Sequence, residues 1–413
     1  MTSANGALID FPTTRQEAWR YTPVDDIVAR LGAATIPTRA TGATVSRQTV
    51  DALAGTHGGP RVVFVNGMYH AGLSDHDLPA PGLRCGTADP AAIEAATNPT
   101  ADVGVDGFLA HNRASRHDIA LVVVDPATQI HEPVHIVHLA APEPNDPDAA
   151  GTLSHPRTVI DVGDGSRVAV IETYCGLDGA TMTNASTTVR IGRDADVDLC
   201  RIQTEPSSTV HVGHTRIEQA ERARLRMTAV TVGGDIARNA IVVHLAGPGA
   251  EADLAGLDVA TGRQRHDTVV TVDHTASRCT STQRFTGVVN DHARGSFSGE
   301  IIVGPGTAAT DAHQSSRNLI LSPNAEADTR PWLQILADDV RCTHGATVGR
   351  LDDDALFYLR SRGIPMNVAR TMLIEAFVHD ITDRIPHESL RQQVSALVTA
   401  SDPIDVARTD QTP

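Results

Sequence analysis

The chain has 413 residues and a formal net charge of −16, with 41% hydrophobic and 20% charged residues. That is an ordinary globular composition, long enough for more than one domain, and it argues against wholesale disorder. All 34 basic residues are arginine, which excludes Schiff-base chemistry, a lysine base and a phosphate-loop lysine, while the excess of acid disfavours nucleic acid and anionic membrane.

The five cysteines (Cys85, Cys175, Cys200, Cys279, Cys342) are odd in number and scattered, with no CxxC pair. Such usage suits a reducing compartment. The first 22 residues carry Asp10, Arg15, Glu17 and Arg20 and lack an apolar core, so no secretory signal is expected there. No apolar run is long enough to span a membrane. The expectation is a cytoplasmic protein.

Residues 1–115 form an N-terminal region that mixes helical pieces with Pro/Gly connectors. Short helices are predicted over 25–31 and 89–96, and Val62-Val63-Phe64-Val65-Asn66-Gly67 reads as a strand entering a turn. From 116 to 350 the texture changes. Segments at 121–124, 134–139, 158–162, 168–171, 187–191 and 269–272 are short, β-branched and separated by Gly, Asp, Asn and Pro. No helical period appears across them, which excludes a doubly wound sheet with its crossover helices.

A repeated shape sharpens the reading: a polar turn, a charge, a small residue, a polar residue, then an apolar one. It occurs around Val168, Val197, Ala223, Ala252, Gly295 and Ala327, at spacings of 29, 26, 29, 43 and 32 residues. Periods in this range built only from strands predict a stacked β-solenoid. A β-sandwich would also supply short strands but has no reason to repeat the turn.

Residues 351–413 turn helical again. Asp352-Asp353-Asp354 opens a helix through Phe357-Tyr358-Leu359, Gly363 suits its C-terminal cap, and Pro365 suits the first turn of the next. That second helix is predicted to bury Val368, Met372, Leu373, Ala376, Phe377 and Ile381. A third helix is expected over 388–399, followed by a disordered tail from 401. Helices at both ends would cover solenoid edges that otherwise pair with other chains.

Chemistry-bearing groups are sparse. A solenoid of this size could be a polysaccharide lyase or hydrolase, but its acids sit mostly in turns. The Gly-Pro-Gly elements at 247–249 and 304–306 read as turn punctuation rather than an anion cradle. In His131-x-x-x-His135-x-x-His138, strand geometry puts His138 on the face opposite the other two, awkward for one metal. Asp273-His274, Asp291-His292 and Asp311-Ala312-His313 could stack on equivalent turns, or be hydrogen-bonded turn residues. Cys342-Thr343-His344 is the best candidate, because on a strand the thiol and imidazole share one face. Such a pair can bind iron or zinc, or hold persulfide sulfur, if the imidazole lowers the thiol's pKa. Two ligands do not complete a site, so the others would come from elsewhere, such as another subunit. Buried structural residues remain the competing reading.

The block Asp338-Asp339-Val340-Arg341-Cys342-Thr343-His344-Gly345-Ala346-Thr347-Val348-Gly349-Arg350-Leu351-Asp352 resembles the signature of the SufB/SufD family of iron–sulfur assembly proteins. Phe357-Tyr358-Leu359-Arg360-Ser361-Arg362-Gly363-Ile364, Phe297-Ser298-Gly299, Gln314-Ser315-Ser316-Arg317-Asn318-Leu319-Ile320-Leu321-Ser322 and Glu17-Ala18-Trp19-Arg20-Tyr21-Thr22 continue it. The SufD branch is the closer one. SufB sequences read His-Glu-Ala where this chain has His344-Gly345-Ala346, and their core cysteine would fall near Ser316; Arg341 stands where the family often has Lys.

The resemblance implies a right-handed parallel β-helix with helical N- and C-terminal regions. It implies a non-enzymatic scaffold in a complex with a SufB-type scaffold and a SufC-type ABC ATPase, which supplies ATP hydrolysis, or a homodimer of SufD-type chains. A transient iron–sulfur cluster would form near the SufB–SufD interface, with His344 as this chain's contribution and Cys342 in support. No tightly bound cofactor is expected in isolation, and flavin involvement stays open. SufC contact is expected near Arg360, Arg362, Met372 and Phe377. The alternatives are a SufB-like scaffold that holds cluster by itself and a β-helix carbohydrate-active enzyme.

Overall fold

The computed structural model describes residues 9–37, 45–75, 80–88, 106–115, 118–142 and 151–400. The helix expected over 89–96 and the tail from 401 lie outside these residues. The core is a parallel β-solenoid of about seven turns whose chain alternates between two sheets. Arg167–Gly176, Asp196–Gln203, Arg224–Thr231, Glu251–Ala260, Thr280–Val289, Thr310–Ile320 and Val340–Gly349 follow one another in the first sheet. Thr181–Ile191, Val210–Gln219, Ile236–Leu245, Arg265–His274, Arg294–Val303 and Glu326–Ile335 do so in the second.

The repeat has a physical cause in the turn that returns the chain to the first sheet. Gly165, Asp194, Arg222, Gly249, Arg278 and Ala309 all have positive φ, between 53° and 72°. Each donates its backbone N–H to a carbonyl of the equivalent turn one coil on: Asp194 to Glu221 (3.0 Å), Arg222 to Pro248 (3.1 Å), Arg278 to Ala308 (2.8 Å). The turns therefore form a hydrogen-bond ladder beside the sheets, and left-handed backbone is needed at one residue per coil.

Register corrects the repeat in detail. Val168, Val197, Leu225, Ala252, Ser281, Ala312 and Cys342 are in-register partners down the first sheet. Ala223 therefore lies two residues ahead of its column. Gly295 and Ala327 pair with each other in the second sheet, so the spacing of 43 is a step from one side of the solenoid to the other. The two sides look alike in sequence because each entry into a strand needs a small or apolar residue pointing inward.

Among the described residues six α-helices pack outside. Near the N-terminus are α1 (Val24–Ala33), α2 (Arg47–Ala54) and α3 (Gly107–Ser115), followed at the other end by α4 (Asp353–Ser361), α5 (Met366–Thr382) and α6 (Glu388–Ala400). They cover faces, not the C-terminal edge, which corrects the expectation from sequence. Ile374, Val378, Ile381, Leu390, Val394 and Val398 bury against Ile202, Val230, Leu257 and Val259 on the outer face of the first sheet. Each such side chain contributes about 1.5–3 kcal/mol of burial, so α5 and α6 are integral to the fold.

In α5 the buried side is Ala369, Ile374, Val378, Ile381 and Thr382, whereas Val368 and Met372 are 44% and 42% exposed. Apolar residues surround this helix, so periodicity alone could not select the packed side. The N-terminal edge is closed by antiparallel additions: Met68–Tyr69 on Arg61–Val65, and Leu83–Ala88 on Ile119–Val124. The motif around Trp19 docks on the second sheet. Trp19 stacks beneath the Arg238 guanidinium (3.6 Å from its ring centroid), and Thr22 and Arg238 both donate to Asp267.

Candidate functional site

The last coil is built from Glu326–Ile335 and Val340–Gly349, and each strand has a partner on one side alone. Among the described residues nothing pairs with the outer edge of either. A row of backbone N–H and C=O groups therefore faces outward, ready for another strand. Apolar side chains gather there: Trp332, Leu336 and Val348 are 49%, 54% and 47% exposed. Leu333, Ile335, Val340 and Cys342 are half-buried over Ile301, Val303 and Ala312.

Cys342 and His344 sit on this coil, and both belong to inward-facing columns. Cys342 is in register with Ala312 and His344 with Gln314, both buried. The column ending at His344 changes character along the solenoid. Val170, Leu199, Met227 and Leu254 give way to Gln283, Gln314 and finally His344. The Gln314 amide donates to the Gln283 carbonyl (2.9 Å), so polar groups already line the lumen one and two coils before the end. Because no coil follows, His344 is exposed and Cys342 half-buried. Two donors thus lie side by side on an open end, where a second chain could complete a ligand set.

The thiol's electrostatics differ from the condition set by the sequence. Burial raises the Cys342 pKa, the Asp311 carboxylate raises it further, and His344 does not pull it down. The neutral thiol is the resting form. Thr343 faces the opposite way and hydrogen-bonds His313 Nδ1 (2.7 Å), whose Nε2 is 2.8 Å from Asp311. Ser316 is buried in the inward column that ends at Ala346, and Gly345 has open space around it.

The other histidine candidates do not converge. His135 and His138 are buried against Thr173 and Thr158 (3.0 Å each), and His131 is exposed. His274 lies inside the solenoid on Ser281 (2.8 Å), Asp273 pairs with His244, and Asp291 caps the backbone of Gly262. Among the described residues no group of three or more His, Cys, Asp or Glu side chains could hold a metal ion. Turn acids make ion pairs between coils, such as Arg193–Asp164 (3.1 Å) and Arg222–Asp194 (2.6 Å), and do not converge as a glycosidase pair would.

Near the C-terminus, Phe357 and Tyr358 are 74% and 57% exposed, and Arg362 lies over the Tyr358 ring (5.2 Å). Arg360 and Met372 are also exposed. Phe377 is half-buried under Arg317 (4.8 Å), so it joins the helix to the solenoid. Sequence reasoning missed the bare terminal edge. Its one local signal is Trp332 at an outward position of a strand whose preceding neighbour carries Glu300 opposite it, with Leu336 just past the strand's end.

Comparison with known proteins gives a consistent assignment. The family model described as "SUF system FeS cluster assembly, SufBD core domain" matches residues 145–377. The iron–sulfur cluster assembly protein SufD of Escherichia coli (strain K12) is 30% identical over 398 residues, covering 94% of this chain and 88% of that protein. An iron–sulfur cluster assembly SufBD family protein of Synechocystis is 30% identical over 358 residues, 82% and 77% of the two chains. The SufD of Bacillus subtilis is 27% identical over 284 residues, 68% and 63%.

Proposed function

We propose, on the premise that this chain belongs to the SufBD family of iron–sulfur cluster assembly proteins, that it is the SufD-type scaffold subunit of a complex with a SufB-type scaffold and a SufC-type ATPase. The observation that carries this reading is the bare terminal coil with Cys342 and His344 on its inward columns. A SufB-type chain pairing with that edge would continue the solenoid and bring the missing ligands to a nascent cluster, which is cargo. His344 is offered as a direct donor through imidazole nitrogen, and Cys342 in support, releasing its proton when iron binds. In the absence of a SufB-type partner the same edge suits a second copy of this chain. The chain itself performs no catalysis and holds no cofactor tightly in isolation; the purified protein is expected to lack the cluster chromophore.

The exposed surface of α4 and the start of α5, with Phe357, Tyr358, Arg360, Arg362 and Met372, is offered as the SufC contact. Removing residues 351–413 would strip the outer face of the first sheet, so deletion cannot test this. Phe357→Asp with Met372→Asp changes only exposed positions. That double variant is expected to lose co-elution with the ATPase while keeping its melting temperature; retained co-elution would dismiss the surface. For the site, His344→Ala should keep complex formation on size exclusion while anaerobic reconstitution fails to develop the cluster chromophore. Normal chromophore development by that variant would sink the assignment of His344.

A further inference from the structure

We infer that a groove between α1 and the second sheet binds a small oxyanion-bearing molecule, its phosphate or carboxylate gripped by Arg263 and Arg265. This site lies away from the terminal coil and is independent of the assembly role.

The groove encloses about 650 Å³, within the range of small-ligand sites. Its lining carries Arg30, Arg263, Arg265 and Arg294 against Asp26, Asp235 and Glu326, an excess of positive charge on a chain of net −16. The acids are already engaged. Arg30 spans Asp26 (3.1 Å) and Asp235 (2.8 Å), and Arg294 takes Glu326 (3.0 Å). Arg263 and Arg265 make no ion pair among the described residues, unlike Arg193, Arg222, Arg226 and Arg284, each of which meets an acid on a neighbouring coil.

Register makes the excess costly. Arg265 and Arg294 are direct partners on adjacent strands, about 4.8 Å apart by sheet spacing, where like charges repel. A concave site that leaves two guanidiniums unpaired beside a third is built for a planar or tetrahedral oxyanion, which accepts two parallel N–H bonds from each fork. His292 and Asn324 on the rim add donors.

A second hollow of about 160 Å³ shares Ile236, Arg265 and Arg294 with the first and adds Tyr21 and His266. The remainder of a ligand anchored at Arg265 would meet an aromatic ring and a buried imidazole there. Burial pushes the His266 pKa down to about 4, so this imidazole is neutral at pH 7. Asp267, held by Arg238, and Asp328 also line this hollow, so the oxyanion itself belongs on the Arg263–Arg265 side and an uncharged part of the ligand enters here.

The test is calorimetric titration of the full-length chain with inorganic pyrophosphate and, separately, citrate at low ionic strength, repeated on R263Q/R265Q. Saturable binding of one anion near 1:1 stoichiometry is expected, weakened at least about tenfold in the double variant by loss of charge-assisted bonds. The melting temperature without anion should be unchanged or slightly higher, because the variant relieves the Arg265–Arg294 repulsion. Which anion binds separates a phosphate ligand from a carboxylate one. No binding of either, equal binding by the double variant, or the same response to sodium chloride at matched ionic strength would overturn the inference.

Discussion

At the scale of single residues, the decisive property is that Cys342 rests as a thiol. Burial and the Asp311 carboxylate both disfavour the thiolate, so its pKa lies above the ordinary 9.0. Reaction with a disulfide probe runs through the thiolate. Its rate at Cys342, taken as the difference between the wild-type chain and Cys342→Ser, should rise about tenfold per pH unit from 7 to 9. A plateau below pH 8 would mean that something in the protein lowers the pKa after all. The placement of Cys342 and His344 on one face was legible, because two-residue alternation belongs to any strand. The sign of the thiol's shift was not, since it depends on Ala312 and Asp311 one coil away. Histidines show the same limit: nothing local separates His138, buried on Thr158, from the exposed His131.

Among elements, the turn ladder explains why a solenoid can be read from such varied sequence. Each coil requires one left-handed residue, and only some coils place glycine there. At Ala309 (φ 53°) a methyl group occupies conformational space that costs an L-residue about 1–2 kcal/mol. Ala309→Gly relieves that and returns part of it as unfolded-chain entropy, so a net gain of about 0.5–1 kcal/mol is expected. Thermal melting should show a slightly higher midpoint; an unchanged or lower one would mean the turn tolerates the side chain. The helices were legible as helices because caps such as Asp352, which accepts from the Asp354 and Ala355 N–H groups, are local. Their packed sides were not, because apolar residues are spread around α5 with no single apolar face, and the sheet beneath it decides which side is buried.

Over the whole molecule, the polar content of the lumen should make the fold acid-sensitive. His266 and His274 are neutral in the fold, with pKa values near 4, burial being the leading cause for each. Unfolded, each takes a proton near 6.5. Stability present above pH 6.5 is therefore lost progressively as pH falls towards 4. Asp258 opposes this more weakly: burial raises its pKa to about 6, so its neutral form favours the fold at the lower end of that window. For Glu172 burial works the other way, but the nearby His138 imidazole (3.8 Å) and the Arg201 charge outweigh it and hold the pKa near 2, so its contribution persists until pH falls below about 4.5. Melting temperature is expected to drop by several degrees between pH 6.5 and 4.5. His274→Gln, which keeps a hydrogen bond to Ser281 without a titrating ring, should flatten the slope. A profile flat across that range in the wild-type chain would refute the account.

Sequence alone determined the class of fold, the absence of lysine chemistry, the Cys-x-His pair and the family resemblance, since these rest on composition, alternation and contiguous residues. Tertiary structure alone decided that, among the described residues, nothing pairs with the outer edge at Val340–Gly349 while the other end carries antiparallel strands. It also decided that Arg265 and Arg294, 29 positions apart, become neighbours with too few acids between them. The reason is one of distance: successive coils sit a strand's width apart, but nearly thirty residues of chain separate them. Whether a given edge or charge finds its partner is therefore settled by stacking.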